Sequence, residues 1–183
     1  MGQPIVLIVP GIGDDESGAY KVFEHVWRRR GFDARILVFG WNDIEAPLAS
    51  KMVPFLEYIR ELEELVYIIG VSAGGMAAVH ALAACPNVQK IITVCSPLDR
   101  MPKLHNPLLQ ASIEQTREDL RMLTSDQRSR FLTVYPLYDQ VVPTRLAHTP
   151  GVRRFRICSV VHAPSIFVAL TLYSRSLARF FKK

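Results

Sequence analysis

Three side chains in this sequence are of the types that acyl transfer requires, and each follows its own apolar run. Ser72 lies within Gly70-Val71-Ser72-Ala73-Gly74, between the run Leu65-Val66-Tyr67-Ile68-Ile69 and the small-residue stretch Gly75-Met76-Ala77-Ala78-Val79. A serine framed by glycines at a sharp strand-to-helix turn presents its hydroxyl at the edge of a sheet, because the small neighbours let the backbone bend tightly beside it. That hydroxyl is a weak nucleophile at neutral pH and needs a base, itself oriented by a carboxylate. Leu137-Tyr138-Asp139-Gln140-Val141-Val142-Pro143 and Val160-Val161-His162-Ala163-Pro164 supply both. In such a set His162 takes the Ser72 proton as the hydroxyl attacks a carbonyl carbon, while Asp139 fixes the imidazole tautomer.

A glycine-framed serine occurs by chance in many sequences, so its weight comes from the elements around it. The residues before the turn are mostly β-branched or aromatic and too few for a helix. After it, Ala77, Ala78, Ala81, Ala83 and Ala84 favour a helix that Cys85-Pro86-Asn87 ends. Other residues compete for each role. Ser96 also follows a strand but lacks the glycine-framed bend. Asp99 is a second strand-end carboxylate, although Asp139 has the Val141-Val142-Pro143 continuation. For the base, His25 and His80 fall on helices, His148 lies a turn beyond the acid, and His105 sits in a long loop.

The elements that must position these groups alternate along the chain. Strands are expected at Ile5–Val9, Arg35–Phe39, Leu65–Val71, Lys90–Cys95, Phe131–Leu137 and Phe155–Val160. Helical faces lie between them: Tyr20, Phe23, Val26 and Trp27; Met52, Phe55, Leu56, Ile59 and Leu62; Leu109, Ile113, Leu120 and Leu123. A last helix is expected from about Pro164, burying Ile166, Phe167, Leu170, Tyr173 and Leu177. The alternation implies a three-layer α/β/α sandwich with a mostly parallel six-stranded sheet. Functional groups in such folds gather at the carboxyl ends of the strands.

The length of 183 residues, about half of them hydrophobic, suits one domain spanning residues 1–183. The amino terminus has no basic n-region, so no secretory signal is expected, and residues 65 to 89, though uncharged, read as strand-turn-helix rather than a membrane span. Three cysteines without metal-ligand spacing suggest reduced core thiols in a cytoplasmic protein. The net charge of +5 includes the clusters Arg28-Arg29-Arg30 and Arg153-Arg154-x-Arg156. No aromatic platform accompanies them, so they read as solvated faces, and no nucleic-acid or membrane partner is expected. Gly11-x-Gly13 opens like a nucleotide cradle, but position 16 is Glu and the acidic Asp14 and Asp15 would repel phosphate. No cofactor and no metal are expected.

The order Ser72, Asp139, His162, each at a strand end, resembles the α/β-hydrolase family over essentially the whole chain. The length, the opening Val9-Pro10-Gly11 and the lack of a cap look most like small serine hydrolases related to the retinoblastoma-binding serine hydrolase. The frequent His-Gly of that family is Pro10-Gly11 here. The resemblance implies a capless serine hydrolase acting on a small or medium carboxylic ester or thioester, with water as second substrate. A binding protein that keeps the fold, and acyl transfer to another acceptor, are the alternatives. The backbone N–H groups of Ala73 and Ile12 are the candidate oxyanion donors. Trp41, Met101 and Leu104 are candidate acyl-pocket residues from their strand-end positions, although Met101 and Leu104 serve equally well to bury the following helix. Arg100 or Arg145 is placed to meet an anionic group. Acyl chain length and oligomeric state stay open.

Overall fold

Strand-forming runs separated by amphipathic segments build a sheet when each crossover can cover one of its faces. The computed structural model describes residues 3–13, 18–101 and 105–182. Its strands are β1 (Ile5–Val9), β2 (Asp33–Ile36), β3 (Val66–Val71), β4 (Val88–Val94), β5 (Phe131–Tyr138) and β6 (Arg153–Val160). Between and after them run α1 (Gly18–Arg28), α2 (Leu48–Glu61), α3 (Gly74–Ala84), α4 (Pro107–Met122), α5 (Ser125–Ser129), α6 (His162–Leu170) and α7 (Ser174–Lys182). All six strands are parallel, in the order β2-β1-β3-β4-β5-β6.

The period of two along each strand divides the core into two layers. Ile5, Leu7, Val9, Ile68 and Ile91 join Phe55, Ile59, Met76 and Leu108 beneath α2, α3 and α4. Val6, Ile8, Ile69 and Ile92 point the other way, against Tyr20, Phe23, Trp27, Ile166, Leu170, Leu177 and Phe181 of α1, α6 and α7. The strands therefore read as continuous apolar runs, as a sheet covered on both faces requires. Strand order reverses once, between β1 and β3, which pair from Ile5↔Val66 to Val9↔Gly70. The carboxyl ends of those two strands thus flank a topological switch point, where open α/β sheets form their crevice.

Three expectations need correction. The second strand is Asp33–Ile36, not Arg35–Phe39. Its apolar extension leaves the sheet because Phe39 packs on Trp41, ring centroids 4.3 Å apart, and on Phe55. The last helix is two: the Thr171 hydroxyl donates to the Phe167 carbonyl and the Ser174 hydroxyl to the Thr171 carbonyl, competing with the helical ladder at the break. The second piece can then turn Leu177, Phe180 and Phe181 onto the core. Cys85 and Cys95 are buried, but Cys158 is exposed, since β6 is an edge strand. Among the described residues no helix is long and apolar enough to cross a membrane.

Helix α3 has no solvent face from Gly74 to Leu82, and glycine is what admits it so close to the sheet. A Cβ on Gly74 would lie 2.2 Å from the Val9 carbonyl oxygen and 2.6 Å from that of Pro10. Gly74→Ala is therefore expected to lower stability by about 3 kcal/mol in urea unfolding, because the obstruction is backbone that cannot rotate away. Gly18→Ala, with open space around it, should stay within about 0.5 kcal/mol of the parent.

Candidate active site

The turn between β3 and α3 places Ser72 at φ 50°, in the left-handed region that non-glycine residues rarely adopt. Its N–H donates to the Val94 carbonyl at 2.9 Å, and its own carbonyl accepts from Gly75, which starts the helix. A Cβ on Gly70 would lie 2.4 Å from the Gly75 Cα, so the bend closes only with glycines on both sides. Ser96, the rival serine, is buried beneath this turn and donates to the carbonyls of Gly70 and Val94. It also occupies the space that a side chain at 75 would need.

Asp139 and His162 reach Ser72 from the ends of β5 and β6. The Ser72 Oγ is 3.0 Å from His162 Nε2, and His162 Nδ1 is 2.7 Å from Asp139 Oδ2. The other carboxylate oxygen accepts the N–H groups of Val141 and Val142 at 2.9 and 2.8 Å. The Asp139 side chain has no exposed surface, and burial pushes its carboxyl up. The hydrogen bond with His162, the two backbone donors and the nearby His162 charge outweigh burial and hold it below its ordinary value. His162 opens α6, and Val161 before it takes φ 75°, a costly conformation for a β-branched residue. Ser165 holds that bend, donating its N–H and hydroxyl to the Val161 carbonyl.

The loop after β1 closes the other side of the serine. A Cβ on Gly11 would fall 2.8 Å from the Ser72 Cβ, so only glycine permits this approach. The Trp41 Nε1–H donates to the Pro10 carbonyl at 3.1 Å, and Gly13 donates to Asn42 Oδ1 at 3.3 Å, so the segment after β2 fixes the loop. Among the described residues the N–H groups of Ile12 and Ala73 have no acceptor. Ala73 also stands at the amino terminus of α3, where the helix dipole favours negative charge.

The expected pocket residues fare differently. Trp41 is fully buried in the core, so it supports the loop from below and has no surface to offer an acyl chain. Met101 lines a cavity of about 500 Å³ with Arg100, Pro107, Gln110, Ile113 and Glu114, which includes none of Ser72, Asp139 and His162. Leu104, like Asp14, Asp15 and Glu16, lies outside the described residues. Arg100 is ion-paired with Glu114, and the rival acid Asp99 with Arg117. Of the other histidines, His80 pairs with Asp119, and His148 bonds the Thr144 carbonyl and stacks on Tyr135.

Two neighbours escaped the sequence reading. Gln140 accepts the His162 backbone N–H at 3.1 Å, tying the start of α6 to the loop that carries Asp139. Cys95 brings its sulfur within 4.8 Å of ligand atoms of Asp139 and His162. Such a trio resembles a metal set, but burial first and Asp139 second push the Cys95 thiol far up, so it stays protonated. Asp139 and His162 meanwhile bond each other, so these donors fit a hydrogen-bonded cluster better than a metal. Gln140, the residue after Asp139, has at least its place in the chain to mark it, whereas Cys95 is brought in by strand order alone.

No protein-family model and no curated protein matches the chain. Solved structures do. The ydeN gene product of B. subtilis is 16% identical, with a TM-score of 0.75 over 99% of this chain and 100% of that one. The esterase domain of a Rhodothermus marinus protein is also 16% identical, TM-score 0.64, covering 97% of this chain and 85% of the other. The monoacylglycerol lipase of Paleococcus ferrophilus is 13% identical, TM-score 0.66, covering 98% and 95%. The narrower resemblance to relatives of the retinoblastoma-binding serine hydrolase finds no support in these likenesses. What they share with this chain is its fold, a parallel sheet with helices on both faces, of the α/β-hydrolase kind.

Proposed function

We propose that the protein is a serine hydrolase that cleaves a carboxylic ester or thioester through an acyl-enzyme on Ser72. The observation that carries this reading is the continuous relay Ser72 Oγ, His162 Nε2, His162 Nδ1, Asp139 Oδ2, with separations of 3.0 and 2.7 Å. The esterase domain and the monoacylglycerol lipase that share the fold favour an ester as the bond cleaved.

In this mechanism the Ser72 oxygen attacks the carbonyl carbon while its proton passes to His162 Nε2. The negative charge that develops on the carbonyl oxygen is met by the free N–H groups of Ala73 and Ile12, donors in place before the reaction begins. Collapse of the tetrahedral intermediate expels the alcohol or thiol, which takes the His162 proton. Water, deprotonated by the same nitrogen, then attacks the acyl-enzyme and releases the acid. Asp139 stays ionised and balances the imidazolium charge in both halves.

The rim of the site supports an apolar acyl group. Ile12, Tyr138, Val141, Val160 and Val161 are all exposed large hydrophobic residues within three positions of Ser72's partners or on its facing loop. Tyr138 is 60% and Val160 53% exposed, and they pair across β5 and β6. Such clustering marks a surface that binds apolar groups.

Three outcomes are expected. A fluorophosphonate probe should label the folded protein at Ser72, Ser72→Ala should be blank, and His162→Ala should lose several orders of magnitude in kcat/KM for p-nitrophenyl esters; absence of label on folded wild-type protein rejects the reading. Across the ester series from acetate to hexanoate, kcat/KM should rise about two- to fourfold per methylene, and Tyr138→Ser with Val160→Ser should flatten that slope. Because the folded carboxyl of Asp139 lies below its unfolded value, its ionisation stabilises the fold above the ordinary carboxylate range, and the benefit is lost as pH falls through the folded value. Asp139→Asn should therefore cost most stability near neutral pH, with the gap to wild type closing in acid; a gap independent of pH would contradict the assignment.

A further inference from the structure

The two arginine clusters that read as separate solvated faces in the sequence each border α7, in two cavities that have Arg179 in common. Arg29 and Arg30, after α1, line a cavity of about 320 Å³ with Arg175, Arg179 and Lys182 of α7. A second cavity of about 470 Å³ shares Arg179 and adds Arg153 and Arg154 from the start of β6. No carboxylate lines either one. Among the described residues none of these seven cations is in an ion pair. They outnumber the +5 net charge of the whole chain, so the remainder of the protein is net negative.

Part of this crowding has a structural use. Lys182 Nζ donates to the Arg30 carbonyl, Lys90 Nζ to the Phe180 carbonyl, and Arg30 Nε to Ser174 Oγ. Those bonds occupy Arg30, Lys90 and Lys182 and leave the guanidinium groups of Arg29, Arg175, Arg179, Arg153 and Arg154 without a protein acceptor. Desolvation and then the Arg153 charge pull the Lys90 ammonium down, as expected where positive charge accumulates without a counterion.

We propose that this linked pair of cavities is a binding site for a ligand carrying two or more linked phosphate groups. Guanidinium forks match phosphate oxygens two at a time, and several of them lining two cavities joined at Arg179 suit an oligoanion better than a single ion. The aromatic side chains bordering the cavities do not form a stacking platform: Phe180 is 8% exposed and lies under Lys90 and Arg153, and the half-buried Phe155 packs edge-on with Tyr173. Leu132 and Leu177 are buried too, so no apolar anchor for a bilayer projects here. Recognition is thus of phosphate and not of bases or lipid chains.

The site lies at the opposite edge of the sheet from Ser72. Arg153 starts β6 and Val160 ends it, and eight residues of strand span about 25 Å. Occupancy therefore leaves the catalytic edge open.

Calorimetric titration of the full chain with sodium tripolyphosphate tests the assignment. One equivalent should bind, more tightly than orthophosphate, and more weakly as potassium chloride is raised. Arg175→Ala with Arg179→Ala should weaken binding by about tenfold or more, whereas Lys21→Ala with Arg121→Ala, which removes the same two charges from α1 and α4 away from both cavities, should not. Thermal unfolding and fluorophosphonate labelling of each variant report that it is folded. The proposal is overturned if folded wild type fails to bind tripolyphosphate, if orthophosphate binds equally well, or if the arginine substitutions leave affinity unchanged. It is equally overturned if an oligouridylate or phosphatidylserine-containing vesicles bind through these arginines and tripolyphosphate does not displace them.

Discussion

Everything at the site depends on how closely α3 approaches the backbone of β1. Gly74 lies against the Val9 and Pro10 carbonyls, Gly75 against Ser96, and Gly70 against Gly75, with no side chain between any of these pairs. That approach forces the turn at Ser72 into the left-handed region, at a cost of about 1–3 kcal/mol that the two core layers must offset. The same approach puts the loop after β1 beside the serine, at the amino terminus of α3 where the Ala73 N–H has no acceptor among the described residues. The Ser72 turn, the unpaired N–H and the adjoining loop are consequences of one packing contact.

Asp139 and His162 are held by a different device. Asp139 carries its charge without solvent contact because Val141, Val142 and His162 between them fill its acceptor positions. A buried carboxylate left without donors would take up a proton and cease to orient the imidazole. Gln140 and Ser165 bond the N–H and the carbonyl of the one peptide that joins Val161 to His162, so the ring is positioned by its own helix start and by the loop after β5 together.

Residue types and strand-end positions made Ser72, Asp139 and His162 legible, because the strands that carry them are long apolar runs with unambiguous ends. Leu37, Val38 and Phe39 misled for the opposite reason: they are apolar and β-forming, but their partners are Trp41 and Phe55 in a loop cluster that no local pattern announces. Trp41 lies beyond the end of β2 and is fully buried rather than open to a ligand, since burial is decided by what packs over a residue. Val161 owes its importance to a backbone angle and Cys95 to the strand order that brings its sulfur near Asp139, and neither leaves much mark on sequence. The two cavities that Arg179 joins, one with Arg29 and Arg30 and one with Arg153 and Arg154, depend on strand order and on the break that frees α7, and neither is written in the arginines themselves.

Helix α3 is buried from Gly74 to Leu82, the one crossover in which no position between those limits reaches solvent. On the other long helices an outward face can exchange residues freely, and the fold survives because only the inward stripe is constrained. Here there is no outward face to absorb drift. Change over evolutionary time is thus displaced onto the remainder of the chain, and the stretch from Gly70 to Leu82 becomes the signature by which a remote descendant would still be identified after the rest had diverged.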